Sequence, residues 1–333
     1  MKKRVITAAI LVSLITCLIA FPVLERAFIA FITVLMIIAC FEMFHMFAQK
    51  NPLTKYSRIV TIACVLILFF SAGGVFFIGI IGVDHGLDTL SKIRQVDSLL
   101  MTSIVIVIAI FTMQIFVKDF SSEDTGKIIS TVFYLGIGFS SIINLKLLGT
   151  RFIIYALIIT SLTDCFAMFG GMLFGKHKLC PEISPNKTVE GAIIGTVIAS
   201  IIAVLYALFY GYIFVPGTDV GNIFNASGAM TLLGQFSDIG SSPLYIQALV
   251  IVPITLFASI FGQIGDLVAS KFKRDYNLKD FSKIFPGHGG VLDRFDSLLF
   301  VSMVLIFFFT IINRIIPLLP PLEEFAIGLR FLI

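Results

Sequence analysis

The chain alternates between long apolar runs and short polar ones. A helix rising about 1.5 Å per residue needs roughly 20 apolar residues to cross the hydrocarbon core of a bilayer. Nine stretches reach that length: residues 5–24, 27–47, 59–83, 99–117, 128–148, 152–174, 191–215, 244–269 and 298–316. The pattern predicts an all-α, polytopic integral membrane protein with about nine transmembrane helices. Met1-Lys2-Lys3-Arg4 ahead of the first run resembles the start of a signal peptide. The run is long enough to span and no small-residue cleavage site follows, so it reads as a retained helix. Residues 1–98 form a first group of three spans, suited to a packing bundle or a homodimer interface. Residues 99–175 form a middle group, and 176–333 a C-terminal region with most of the polar chemistry.

Composition agrees with this pattern. Charged residues make up 13% of the chain and hydrophobic ones 58%, against about 25% charged in soluble domains. A net charge of +4 is too small to suggest nucleic acid as a partner. The position of the charges is more informative. With Lys2, Lys3 and Arg4 in the cytoplasm and the sides alternating, most of the 24 Lys and Arg residues fall on the cytoplasmic side. The opposite loop, 216–243, has none. This places two polar segments, 175–190 and 270–297, on one face of a cell membrane. The five cysteines form no C-x-x-C pair and read as small buried hydrophobes.

The segment 270–297 contains Lys273, Arg274, Lys279, Asp280, Lys283, Gly287, His288, Gly289, Gly290, Asp293, Arg294 and Asp296, with Asp266 just before it. Asp293 and Asp296, three apart, share a helical face. With Asp266 they supply three anionic oxygen donors, the ligand type Mg2+ prefers when it is shared with substrate phosphates. Lys273, Arg274, Lys279, Lys283 and Arg294 suit phosphate oxygens. Gly287, Gly289 and Gly290 allow close approach of backbone N–H groups. Carboxylates for metal, cations for phosphate and glycines between them are the components of phosphoryl-type transfer. Each feature taken singly has a structural reading: acids complement a helix N-terminus, a basic run sets topology, and a loop histidine is usually only hydrogen-bonded. Their conjunction favours a site.

The other segment carries Ser184-Pro185-Asn186-Lys187-Thr188-Val189-Glu190-Gly191. Ser184-Pro185 reads as a turn and helix start. Lys187 and Thr188 can meet phosphate at that helix N-terminus, or Thr188 and Glu190 can simply cap it. Asp164, inside the sixth run, costs about 2.5–3.5 kcal/mol at mid-membrane, so it should face a polar cavity or a partner. Gly170 to Lys176 matches the opening of a P-loop, but His177 stands where Ser or Thr is needed and no strand precedes it.

Ser270 through Asp296 resembles the signature of the phosphatidate cytidylyltransferases: S-x-apolar-K-R, four residues, K-D, then P-x-H-G-G-apolar-x-D-R-apolar-D, with every fixed position filled. Asp164, Gly170, Gly175-Lys176 and 184–191 are similar to a second conserved region, with Asn186 where Lys is common and Val189 where Trp is usual. The resemblance implies transfer of a cytidylyl group from CTP to phosphatidate, giving CDP-diacylglycerol and pyrophosphate. It further implies a metal centre at Asp266, Asp293 and Asp296 that can pair Mg2+ with K+. The candidate catalytic residues are then Asp266, Lys279, Asp280, His288, Asp293, Arg294 and Asp296. Substrate contacts fall to Asp164, Ser184, Lys187, Thr188, Glu190, Lys273, Arg274, Gly287, Gly289 and Gly290. Two other readings are a CTP-dependent lipid kinase and an ion or metabolite transporter.

Overall fold

The computed structural model describes residues 15–21, 24–72, 88–118, 120–214, 217–218, 233, 238–285 and 289–315, with side chains left aside at 88–98 and 313–315. Eight helices among the described residues are long and apolar enough to cross a membrane. They are α1 (Glu25–Phe47), α2 (Lys55–Ala72), α3 (Asp88–Phe116), α4 (Ser122–Leu148), α5 (Thr150–Phe174), α6 (Val189–Ile213), α7 (Leu244–Asp275) and α8 (Leu292–Ile315). The chain is a multi-pass, all-α membrane protein. The first expected span lies largely outside the described residues, as does most of the 216–243 loop.

Helix ends differ from the hydropathy reading in a consistent way. α4 starts at Ser122, before its apolar run, because Ser121 and Asp124 form a capping box. Ser121 Oγ accepts the Asp124 N–H at 3.2 Å, and Asp124 Oδ2 accepts the Ser121 N–H at 3.0 Å. α7 continues through Asp275, and α8 begins at Leu292. Ser270, Lys273 and Arg274 are therefore on a helix, and only 276–291 of the polar block is loop. Hydropathy marks where a helix is apolar, not where its hydrogen bonds end.

A second correction concerns Ser184-Pro185, which does not start a helix. Residues Ser184–Thr188 form β2, antiparallel to β1 (Lys178–Cys180), with Lys178 opposite Thr188 and Cys180 opposite Ser184. Pro185 is exposed and tolerated because both strands of a two-stranded ribbon are edges. Thr188 is the N-cap of α6, its Oγ1 accepting the Gly191 N–H at 3.2 Å.

α4 is the most buried span and packs against α1, α2, α3, α5 and α8. Phe139, Leu135 and Val132 on it meet a core that includes Met36, Leu68, Phe152 and Leu299. α3 is the least buried, and its exposed Val105, Phe111 and Ile115 suit a lipid-facing surface. Helices cannot associate by the hydrophobic effect inside a bilayer, so small residues and buried polar bonds do the work. α5 and α6 touch along Gly170, Gly171, Gly191 and Gly195; a Cβ at Gly195 would lie 2.6 Å from the Thr163 carbonyl. Thr163 Oγ1 pairs with Ser259 Oγ at 2.7 Å, and Gln263 Nε2 donates to Thr196 Oγ1 at 2.7 Å. These bonds fix α5, α6 and α7 in register, with the hairpin at their common end.

Candidate active site

The last turns of α7 carry Asp266, Ser270, Lys273 and Arg274 at spacings that repeat on one helix face. α8 carries Asp293 in its first turn and Asp296 just after it. The helices run antiparallel and close, since a Cβ at Gly265 would lie 2.8 Å from the Asp296 carbonyl. Asp266 thereby comes beside Asp296. From the hairpin, Lys187 forms an ion pair with Asp266 Oδ2, and Ser270 Oγ donates to Asp266 Oδ1 at 3.3 Å. Asp164 on α5 is accessible and lies within charge range of both Asp266 and Lys187. Asp296 is buried, its Oδ1 accepts the Ser297 N–H at 2.8 Å, and it feels the charges of Asp266, Asp164 and Lys273. Three helices and the hairpin thus bring Asp164, Asp266, Asp296 and Lys187 to one edge of the bundle.

Asp293 sits differently. Its Oδ1 accepts Lys273 Nζ at 2.6 Å, in a pair with side chains only 6% and 10% exposed. Its Oδ2 accepts the N–H groups of Phe281 and Gly290, each at 2.9 Å. Both oxygens are occupied in tying the signature loop to α7. Among the described residues, no group of three His, Cys, Asp or Glu side chains is already arranged to hold a metal ion.

Some of the remaining expected residues make ties within the loops, and others are exposed. Arg274 donates from Nε to the Ile183 carbonyl at 3.3 Å and from a terminal nitrogen to the Leu278 carbonyl at 3.0 Å, so it links hairpin and signature loop. Glu190 accepts the N–H groups of Lys176 and His177, and its Oε1 meets His177 Nδ1 at 2.6 Å, closing the base of the hairpin. Ser184 lies in β2, and Thr188 serves as the cap already described. Gly289 has φ of +81°, a left-handed conformation that favours glycine, and Phe285 N–H donates to its carbonyl at 3.0 Å. Lys279, Asp280 and Arg294 are exposed. Gly287 and His288 lie outside the described residues.

Two residues absent from the sequence reading belong to this region. Tyr134 of α4 lies within charge range of Asp296, Asp266 and Asp293. Its hydroxyl is buried with no hydrogen-bond partner. Glu42 of α1 is 2% exposed. It accepts Ser282 Oγ at 2.6 Å and the Val291 N–H at 2.8 Å on Oε1, and the Leu292 N–H at 2.8 Å on Oε2. A signal existed for both: each is a polar side chain within an apolar span, and such groups need a partner.

Comparison with known proteins shows the family of the chain. The group described as "Cytidylyltransferase family" matches residues 2–312. A "Phosphatidate cytidylyltransferase" of Bacillus subtilis (strain 168) is 39% identical over 206 residues, 60% of this chain and 64% of that protein. Proteins of the same name from Staphylococcus aureus (strain COL) and Staphylococcus epidermidis (strain ATCC 12228) are each 37% identical over 186 residues, 56% of this chain and 59% of theirs. The matched part spans about three fifths of these relatives.

Proposed function

Because the chain belongs to the cytidylyltransferase family, we propose that it transfers the cytidylyl group of CTP to phosphatidate, releasing pyrophosphate and leaving CDP-diacylglycerol in the membrane. The observation that carries this reading is the convergence of Asp164, Asp266 and Asp296 with Lys187 at one edge of a membrane bundle. One substrate would be a soluble polyanion and the other a lipid with a phosphate headgroup, so a site at that edge can receive both. By the distribution of Lys and Arg, the edge is cytoplasmic.

In the proposed step, a phosphate oxygen of phosphatidate bonds to the α-phosphorus of CTP as the bond to the β-phosphate oxygen breaks. A phosphate monoester is already largely anionic near neutral pH, with a second pKa of about 6, so no side chain need remove a proton. Lys187, Lys273 and Arg274, with Lys279, Lys283 and Arg294 from the loop and α8, would neutralise and orient the triphosphate. Arg274, already bonded to both polar segments, would couple them when phosphate binds.

The carboxylate oxygens are donors of the type a hard divalent cation takes. Asp164, Asp266 and Asp296 lie within charge range of one another, with Lys187 as the positive charge beside them; a bound cation would add to that compensation, and the Tyr134 hydroxyl, buried without a hydrogen-bond partner, offers one more oxygen. Asp266 and Asp296 would hold Mg2+, with K+ as the candidate second cation, and Asp293 would join them by releasing Lys273 to a phosphate. When bound, Mg2+ would neutralise charge shared between the attacking and leaving oxygens.

The test is product analysis. Purified protein in detergent with CTP, phosphatidate and Mg2+ should release pyrophosphate in step with CDP-diacylglycerol, and chelation should stop the reaction until Mg2+ is restored. Release of CDP would identify a lipid kinase instead. Absence of any CTP turnover would overturn the reading.

A further inference from the structure

We propose that Glu42, on α1, is a positioning residue for this reaction, closing the signature loop from a helix that carries none of the signature. The inference deepens the cytidylyltransferase reading and rests on it for the identity of the substrate.

Two carboxylates hold the ends of the loop together. Asp293 takes the N–H groups of Phe281 and Gly290. Glu42 takes their neighbours: the Ser282 hydroxyl and the N–H groups of Val291 and Leu292. Residues 281–282 and 290–292 are thus held together by acids far apart in the sequence. Val291 and Leu292 stand where α8 begins, so their N–H groups have no partner within the helix. Glu42 satisfies both and places negative charge at the positive end of the helix dipole.

The fit is tight. A Cβ on Gly290 would collide with the Glu42 carboxylate and reach within 2.8 Å of Ser282 Oγ. Gly290 is therefore small because the carboxylate passes over it, which accounts for one signature glycine without invoking substrate. A carboxylate this buried is tolerable only when its oxygens are satisfied, and all three donors come from the loop and the start of α8. α1 is thereby part of the site, not a separable anchor. Shifting Glu42 would move Gly289 and Gly290 together with the amides that orient Asp293.

The experiment compares full-length wild type with Glu42→Gln and Glu42→Asp in detergent. Gln keeps one accepting oxygen but turns an N–H2 toward a backbone donor, and Asp falls short by a methylene. Glu42→Gln should lower kcat/KM for CTP about tenfold or more, the scale of one lost charge-assisted hydrogen bond. The KM for phosphatidate should stay within about twofold. Hydrogen exchange at the Val291 and Leu292 amides should quicken about tenfold or more, while mid-α8 amides keep their protection. Glu42→Asp should recover part of both effects.

Unchanged kcat/KM for CTP, or unchanged exchange at 291–292, would overturn the proposal. So would a uniform loss in which both substrates' parameters and all α8 amides change together, because that describes general destabilisation. If wild type fails to turn over CTP, the activity reading falls, and amide exchange alone decides whether Glu42 holds the loop.

Discussion

Replacing Asp293 with Asn removes one charge from a nearly buried ion pair and leaves Lys273 facing an amide. The Asn oxygen can still accept the Phe281 and Gly290 N–H groups, so those bonds, each worth about 1 kcal/mol net, are largely kept. The loss falls on the contact to Lys273 Nζ at 2.6 Å, where the side chains are 6% and 10% exposed. Breaking a buried pair by removing one partner costs about 3–5 kcal/mol, mostly because the other charge is stranded. Lys273 also lies 5.3 Å from the Phe281 ring centre, which offsets the loss by no more than about 1 kcal/mol. Asp293→Asn should therefore be destabilised by about 3 kcal/mol. Adding Lys273→Met removes the stranded charge, and a coupling of about 1.5 kcal/mol or more should appear in the double-mutant cycle. The assay is thermal or denaturant unfolding of four purified proteins in one detergent, with CTP turnover measured on each. The double variant should regain stability but not turnover, because both groups would be missing from the phosphate and metal chemistry. An Asp293→Asn protein as stable as wild type, with no coupling, would refute the structural reasoning. Full activity in the double variant would refute the functional part.

Three further outcomes are expected. Tyr134→Phe removes an unpartnered buried hydroxyl, so stability should hold or rise by up to about 1 kcal/mol; the Mg2+ concentration for half-maximal turnover should rise severalfold if that oxygen serves the cation, as a Mg2+ titration would read. Gly191→Ala places a Cβ 2.5 Å from the Ala167 carbonyl and 2.9 Å from Thr188 Oγ1; overpacking of this kind costs about 1–3 kcal/mol, so the melting temperature and CTP turnover should fall together. Arg274→Lys cannot reproduce the fork that reaches both Ile183 and Leu278; the KM for CTP should rise severalfold with the phosphatidate KM unchanged, measured by varying each substrate in turn.

The spans were legible because the bilayer imposes one requirement, about 20 apolar residues, and the sequence meets it repeatedly. The helix ends were not. Asp88, Ser122 and Asp275 lie in turns whose polar residues look like loop to a hydropathy reading, while a cap or a continuing hydrogen-bond ladder keeps them helical. The hairpin was hidden because Ser184-Pro185 is equally apt for a helix start and for an edge strand. Around the site, charge spacing pointed to Asp266, Asp293 and Asp296 but could not tell which oxygens would already be satisfied; that depends on Lys273, Phe281 and Gly290, brought to Asp293 by the return of the chain. Glu42 and Tyr134 were harder still, since each lies inside an apolar run that holds other polar residues as well, and the groups around it lie far away in sequence.

The distance between Glu42 and its partners has a consequence for how the protein is made. Val291 lies 249 residues after Glu42. At about 5–20 residues per second of synthesis, α1 waits roughly 12–50 s for the amides that will satisfy its acid. Through that interval the nascent chain carries an unmatched carboxylate near the end of an early membrane helix, and only the arrival of Ser282 and the start of α8 gives it partners. The fold therefore sets a late condition on assembly: α1 and the start of α8 must meet across everything inserted between them before Glu42 is satisfied.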